Sequence, residues 1–190
     1  MHNRAPGRIR IIGGQWRSRL INFAEDNGVR PTPDRVRQTL FDWLAPRIDG
    51  ARCLDLYAGS GALGLEALSR RADSVRFVET GPEQVRAIRT ALEMLDAADR
   101  AQVVQGAAQS HLASCADTFN IVFLDPPYTS TELVQVLPLL PPVLAQDNRV
   151  YLEWSAESKP ELPPGFEWLR EKKAGRVSFG LITYASGDQT

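Results

Sequence analysis

From residue 51 onward the chain repeats one pattern: a short apolar run, a turn, then a stretch with helical periodicity. Strands are expected at 52–57, 75–79, 103–105, 121–125 and 150–154, with helices over 62–72, 82–97, 107–116 and 131–145 between them. A crossover helix returns each strand to the same end of the sheet, so these strands run parallel and the helices cover both faces. The tail breaks this rhythm. Segments 167–170 and 176–184 flank Lys172-Lys173-Ala174-Gly175 and read as a β-hairpin, which adds an antiparallel edge. The expected fold is α/β with a mostly parallel sheet. A length of 190 residues suits one such domain, with 51–190 as the core and 1–50 as an extension.

The extension has its own signals. Arg8-Ile9-Arg10-Ile11-Ile12, Gly13-Gly14 and Leu20-Ile21-Asn22-Phe23 predict a hairpin with a cationic polar face. Thr32-Pro33-Asp34 then predicts a helix start, with Thr as cap, Pro in the first turn and Asp at the positive helix end. Val36, Leu40, Leu44 and Ile48 recur every four residues and, with Phe41, make its buried stripe; Arg35 and Gln38 lie elsewhere, and Asp49-Gly50 ends it.

The whole chain carries a formal charge of −1, which argues against a polycation. Residues 1–52 nevertheless hold ten Arg, no Lys and five acids, a net of +5, so one end of the molecule is basic. The two cysteines, Cys53 and Cys115, and the two histidines, His2 and His111, are too scattered for a zinc cluster or a disulfide framework. No metal site is expected, and a reducing cytoplasm is the default. An apolar leader is missing behind Met1, and prolines interrupt the apolar stretch 136–145, so neither secretion nor membrane spanning is expected.

Two constellations carry chemistry. In the first, Asp55-Leu56-Tyr57-Ala58-Gly59-Ser60-Gly61-Ala62-Leu63-Gly64 puts three glycines between the first core strand and its helix. That is where an open α/β sheet binds ligands, with helix-start N–H groups exposed and a backbone that allows close approach. Glu79 follows Gly59 by twenty residues, at the end of the next strand, placed to accept bonds from both hydroxyls of a ribose. The glycine spacing also fits a dinucleotide fingerprint, so the loop alone does not separate NAD from S-adenosylmethionine. Asp55 tilts the choice, because a carboxylate there suits a cationic ligand and repels a pyrophosphate.

The second constellation is Asp125-Pro126-Pro127-Tyr128, at the end of the fourth core strand. The lone pair of an exocyclic amine is delocalised into its nucleobase ring, so a catalyst must draw the N–H bonds aside to aim it. Asp125 and the carbonyl of Pro126 can each accept one amine hydrogen, the prolines fix the turn, and Tyr128 can stack on an extruded base. Such stacking contributes about 1–3 kcal/mol per base.

These residues resemble the class I S-adenosylmethionine-dependent methyltransferases that modify exocyclic amines, which have a Rossmann-like sheet. More narrowly, the chain resembles the RsmD family of bacterial small-subunit ribosomal RNA guanine-N2 methyltransferases. The likeness runs through Arg8-Ile9, Ile12-Gly13-Gly14, Arg17, Arg30-Pro31-Thr32, Asp34-Arg35-Val36-Arg37, Thr39-Leu40-Phe41, the stretch 55–68, Asp125-Pro126-Pro127 and Lys173-Ala174-Gly175. It implies that Asp55 and the loop Ala58, Gly59, Ser60 and Gly61 hold the methionine end of S-adenosyl-L-methionine, Glu79 its ribose, and Asp125 to Tyr128 the target guanine, with Tyr57 and Thr80 also against the cofactor. Thr32, within the segment 30–37, would border the methionine end. Gly106 and Ala107 would lie by the adenine, where many relatives place an acid or amide side chain. The implied partner is 16S rRNA, within the small subunit or an assembly intermediate, and Arg8, Arg10, Arg17, Arg19, Arg30, Arg35 and Arg37 are the expected phosphate contacts. Other readings stay open on the residues alone: an adenine-N6 methyltransferase, an NAD-dependent oxidoreductase, or a non-catalytic RNA-binding module with the same fold.

Overall fold

A computed structural model describes residues 7–24, 31–126 and 131–185. Its centre is a seven-stranded sheet. The strands are β3 (Arg52–Asp55), β4 (Ser74–Glu79), β5 (Ala101–Gln105), β6 (Phe119–Leu124), β7 (Leu144–Ser155), β8 (Phe166–Ala174) and β9 (Val177–Tyr184), in the order β5-β4-β3-β6-β7-β9-β8. The first five in that order are mutually parallel; β9 pairs antiparallel with both β7 and β8. The mostly parallel α/β sheet with an antiparallel edge is therefore as expected. Strand order reverses between β3 and β6, and the crevice beyond their carboxyl ends is where such sheets bind ligands.

Helices α2 (Ala62–Ser69) and α3 (Pro82–Met94) cover one face together with α1 (Asp34–Leu44), burying Phe41, Leu65 and Ile88 against Phe77, Phe123 and Tyr151. On the other face α4 (Ala108–Ser114) and α5 (Glu132–Val136) bury Leu112, Leu133 and Val136 against Leu54, Val122 and Leu152. Alternation along each strand divides these two cores, because successive side chains point to opposite faces.

Several expected boundaries shift. The helix expected over 131–145 ends at Val136; Pro138, Pro141 and Pro142 convert its second half into two 3-10 turns, and β7 begins already at Leu144. Helix α1 starts at Asp34, with Pro33 rather than Thr32 at its cap and no side-chain cap bond. It ends at Leu44, and the chain turns through Gly50, at φ +74°, although Ile48 is buried as the stripe requires.

The N-terminal hairpin forms from β1 (Gly7–Arg10) and β2 (Leu20–Phe23), a separate two-stranded sheet. Ile9, Ile21 and Phe23 join the core shared with α1 and α2. Polar bonds to α2 fix it further. Glu66, fully buried, accepts the main-chain N–H of Ile12 and of Gly13, both at 2.8 Å, and the Nε–H of Arg70 at 2.7 Å. Ser69 accepts the N–H of Trp16 and donates its hydroxyl to the carbonyl of Gly13. Gly14 is required where it lies: φ is +77°, and a Cβ there would come within 1.9 Å of the Ser69 carbonyl oxygen.

Candidate active site

Three buried or partly buried acids stand at the carboxyl ends of neighbouring strands. Asp55 ends β3, Asp125 follows β6, and Glu153 lies near the end of β7. Leu124 pairs with Leu152, so Asp125 and Glu153 occupy the next positions along two parallel strands. Asp55 and Asp125 share the α1-facing side of the sheet with Phe123 and Tyr151, by strand alternation.

Asp55 is 2% exposed and accepts the main-chain N–H of Gly64 at 3.1 Å. Burial pushes its carboxyl up to about 7, with nearby Glu79 adding to the rise and the N–H bonds from Gly64 and Tyr57 opposing it. In between, the glycine loop turns sharply. Gly59 and Gly61 have φ +49° and +76°, and Gly61 caps α2 in the left-handed conformation. Gly64 serves packing instead, since a Cβ there would lie 2.2 Å from the Phe77 ring.

Glu79 bridges two loops. One carboxylate oxygen accepts the N–H of Gly59 at 2.7 Å; the other accepts the N–H of Gly81 at 2.8 Å and the Thr80 hydroxyl at 3.3 Å. The Gly106 N–H bonds the Glu79 carbonyl, and a Cβ at Gly106 would meet nothing within 4 Å, which leaves open space there; neighbouring Ala107 is exposed. Tyr57 turns to the other face and packs with the α4–α5 core, where burial and the Glu132 carboxylate push its phenol up.

Asp125 is held by Thr32, whose hydroxyl donates to Oδ2 at 3.1 Å. This explains the missing cap on α1, for the hydroxyl is committed to the site. Burial raises the Asp125 carboxyl well above the ordinary carboxylate range, with Glu153 and then Asp55 adding repulsion and the Thr32 bond opposing it. Glu153 is itself buried and accepts the Tyr151 hydroxyl at 2.6 Å.

One expected RNA contact is corrected. Arg37 is 1% exposed and cannot reach a phosphate; its guanidinium donates to the carbonyl of Arg10 at 2.8 Å, to Asp34 at 2.6 Å and to the carbonyl of Thr32 at 3.2 Å, with Glu66 3.6 Å away. A helix position facing the hairpin buries it; Asp34 and main-chain carbonyls take bonds from Nε and Nη2, while buried Nη1 has the Glu66 carboxylate only at ion-pair distance. Arg37 thereby ties the end of β1 to the segment that touches Asp125. Arg8, Arg10, Arg17, Arg19 and Arg35 are exposed. Arg30, Pro127 and Tyr128 lie outside the described residues.

Sequence reasoning passed over Glu66 and Glu153. Both carried a signal: each is the lone acid in an apolar segment, Ala62-Leu63-Gly64-Leu65-Glu66-Ala67-Leu68 and Val150-Tyr151-Leu152-Glu153-Trp154. A charge in such a run requires a buried partner.

The family model described as Conserved hypothetical protein 95 matches residues 9–183. Ribosomal RNA small subunit methyltransferase D of Escherichia coli K12 is 45% identical over 178 residues, covering 92% of this chain and 89% of that protein. The protein of the same name from Haemophilus influenzae is 37% identical over 182 residues, 93% of this chain and 94% of its own. A solved structure from Escherichia coli, carrying the name methyltransferase yhhF, matches with a TM-score of 0.85 at 44% identity, over 94% of this chain and 99% of that one. No helix among the described residues is long and apolar enough to cross a membrane.

Proposed function

The chain belongs to the family described as Conserved hypothetical protein 95, and from that premise we propose that it methylates N2 of a guanine in 16S rRNA, with S-adenosyl-L-methionine as donor. The observation that carries the reading is the placement of Asp125. Its carboxyl is held by Thr32 at the end of β6, beside the glycine loop and at the point where strand order reverses.

The residues suit the donor. Gly59 and Gly61 carry the loop through the left-handed conformations that its sharp turn beside Asp55 requires, and Asp55 is a buried carboxyl that a nearby cation would return to its charged form. Asp55 and the loop 58–61 would hold the methionine end and Glu79 the ribose. The open space at Gly106 would receive the adenine. When bound, S-adenosyl-L-methionine supplies an electrophilic methyl group on a sulfonium.

The chain's own contribution is alignment. Asp125 accepts one hydrogen of the guanine amine and the Pro126 carbonyl the other, which turns the nitrogen lone pair toward the incoming methyl. Holding two reactants in line supplies up to ~7–11 kcal/mol of the barrier. Charge moves from sulfur to nitrogen without a new oxyanion, so no oxyanion hole is required. As the N–C bond forms, the amine becomes acidic, and its proton passes to the Asp125 carboxylate and from there to water. A carboxylate whose affinity for protons is raised by burial suits that step. Exposed arginines of the hairpin and α1 contact phosphates and set register, while the extruded base gives specificity.

The test is transfer of labelled methyl to small ribosomal subunits from cells lacking the gene, followed by digestion and mass analysis. N2-methylguanosine is the expected product. N6-methyladenosine would replace this reading with the adenine one, and no transfer beside measurable cofactor binding would favour a non-catalytic module.

A further inference from the structure

Between the first turns of α1 and the β8–β9 hairpin lies a surface pocket of about 240 Å³, lined by Arg35, Val36 and Thr39 on one side and by Lys172, Lys173 and Phe179 on the other. Its base is apolar and firm: Val36 and Phe179 are buried, and Phe179 stacks on Trp43 with ring centroids 5.4 Å apart. The rim is cationic. Arg35, Lys172 and Lys173 are exposed, and none has an ion-pair partner among the described residues. Acids near them are engaged elsewhere, Asp34 with Arg37 and Glu171 with Lys159 at 2.5 Å. Strand alternation turns Lys172, paired with Phe179, toward this face and Lys173, paired with Ser178, toward the other, so two unpaired cations, Arg35 and Lys172, face the concavity and describe a receptor for an anion.

Register locates this receptor relative to the site. Lys172 pairs with Phe179, Phe179 with Glu153, and Glu153 neighbours Asp125. Lys172 therefore stands three strand spacings from Asp125 on the same face of the sheet, roughly 14 Å at ~4.8 Å per strand. A polynucleotide whose base reaches Asp125 carries its flanking phosphates past that distance. We propose that the pocket edged by Arg35 and Lys172 holds a backbone phosphate of the substrate RNA close to the target nucleotide. The proposal rests on the RNA methyltransferase reading above and adds the C-terminal hairpin to the expected RNA surface, which sequence had placed at the N-terminus alone.

The test is binding of labelled small ribosomal subunits from cells lacking the gene by wild type and by K172A, over about 50–200 mM salt, with K173A as the control on the opposite face of β8. Loss of one phosphate contact makes the slope of log K against log salt shallower by ~0.7–0.9. K172A should show that change, with wild-type melting temperature and wild-type affinity for S-adenosyl-L-methionine, K173A should keep the wild-type slope, and K172R should restore it. If wild type binds subunits and K172A keeps its affinity and slope, or K173A loses as much as K172A, the pocket holds no phosphate, and the proposal falls alone. If wild type itself binds no subunits, the methyltransferase reading falls and takes the pocket with it.

Discussion

Replacing Thr32 by Val removes one hydrogen bond from Asp125 while nearly preserving side-chain volume. Thr32 is 6% exposed, so water does not readily replace the lost donor. A hydrogen bond to a charged acceptor contributes about 1.5–3 kcal/mol, and at 3.1 Å this O–H···O bond belongs at the weak end. Since 1.36 kcal/mol corresponds to one pKa unit, the Asp125 carboxyl should rise by about one unit. The sign follows from the chemistry. Asp125 must be ionised to take the amine proton, so methyl transfer should climb with pH through the Asp125 pKa, already well above the usual carboxylate range. In T32V that climb moves about one unit higher. Below it the rate falls ~10-fold relative to wild type, and above it the two plateaus converge. Single-turnover transfer of labelled methyl to unmethylated small subunits, followed across pH, measures both limbs. T32S keeps the hydroxyl and should keep the wild-type profile. A T32V plateau that drops while the limb stays in place would refute the argument, for Thr32 would then act by packing alone.

Other expectations address the frame. Asp55 is raised from 3.8 to about 7 on folding, so its contribution to stability is full below pH ~4, is lost as pH rises toward 7, and stays lost above; thermal melts of D55N should show a smaller decline across that window than wild type. Gly64→Ala drives a Cβ into the Phe77 ring and should cost about 1–3 kcal/mol in urea unfolding. Glu66→Gln leaves Arg70 and buried Arg37 without their carboxylate and should cost roughly 3–5 kcal/mol, with earlier proteolysis within the N-terminal hairpin as a second readout. Arg37→Ala should lower stability yet leave the salt dependence of RNA binding unchanged, because that side chain is inside the protein.

The parallel sheet was legible because buried strands and amphipathic helices alternate with different periods, and each period is visible in a few residues. Asp55, Gly59, Gly61 and Asp125 stood out for a related reason: a sharp turn out of a strand end demands glycine or proline at fixed offsets. What escaped were contacts between residues distant in sequence. Thr32 and Asp125 are 93 positions apart, and local rules made Thr32 a helix cap. Arg37 followed the same logic in reverse, since an arginine in a basic segment reads as exposed until the hairpin that covers it is placed. Helix α5 was overextended because apolar periodicity outvoted three prolines whose missing N–H groups interrupt the helix.

The anchoring of the N-terminal hairpin has a consequence for how such a surface can change. Glu66 and Ser69 grip it through main-chain groups of Ile12, Gly13 and Trp16, and main-chain groups are common to nearly every amino acid. Outward-facing side chains such as Arg8, Arg10, Arg17 and Arg19 take no part in the attachment. They can be exchanged one at a time, by mutation or by an engineer, and the altered surface stays mounted at the same angle over α2.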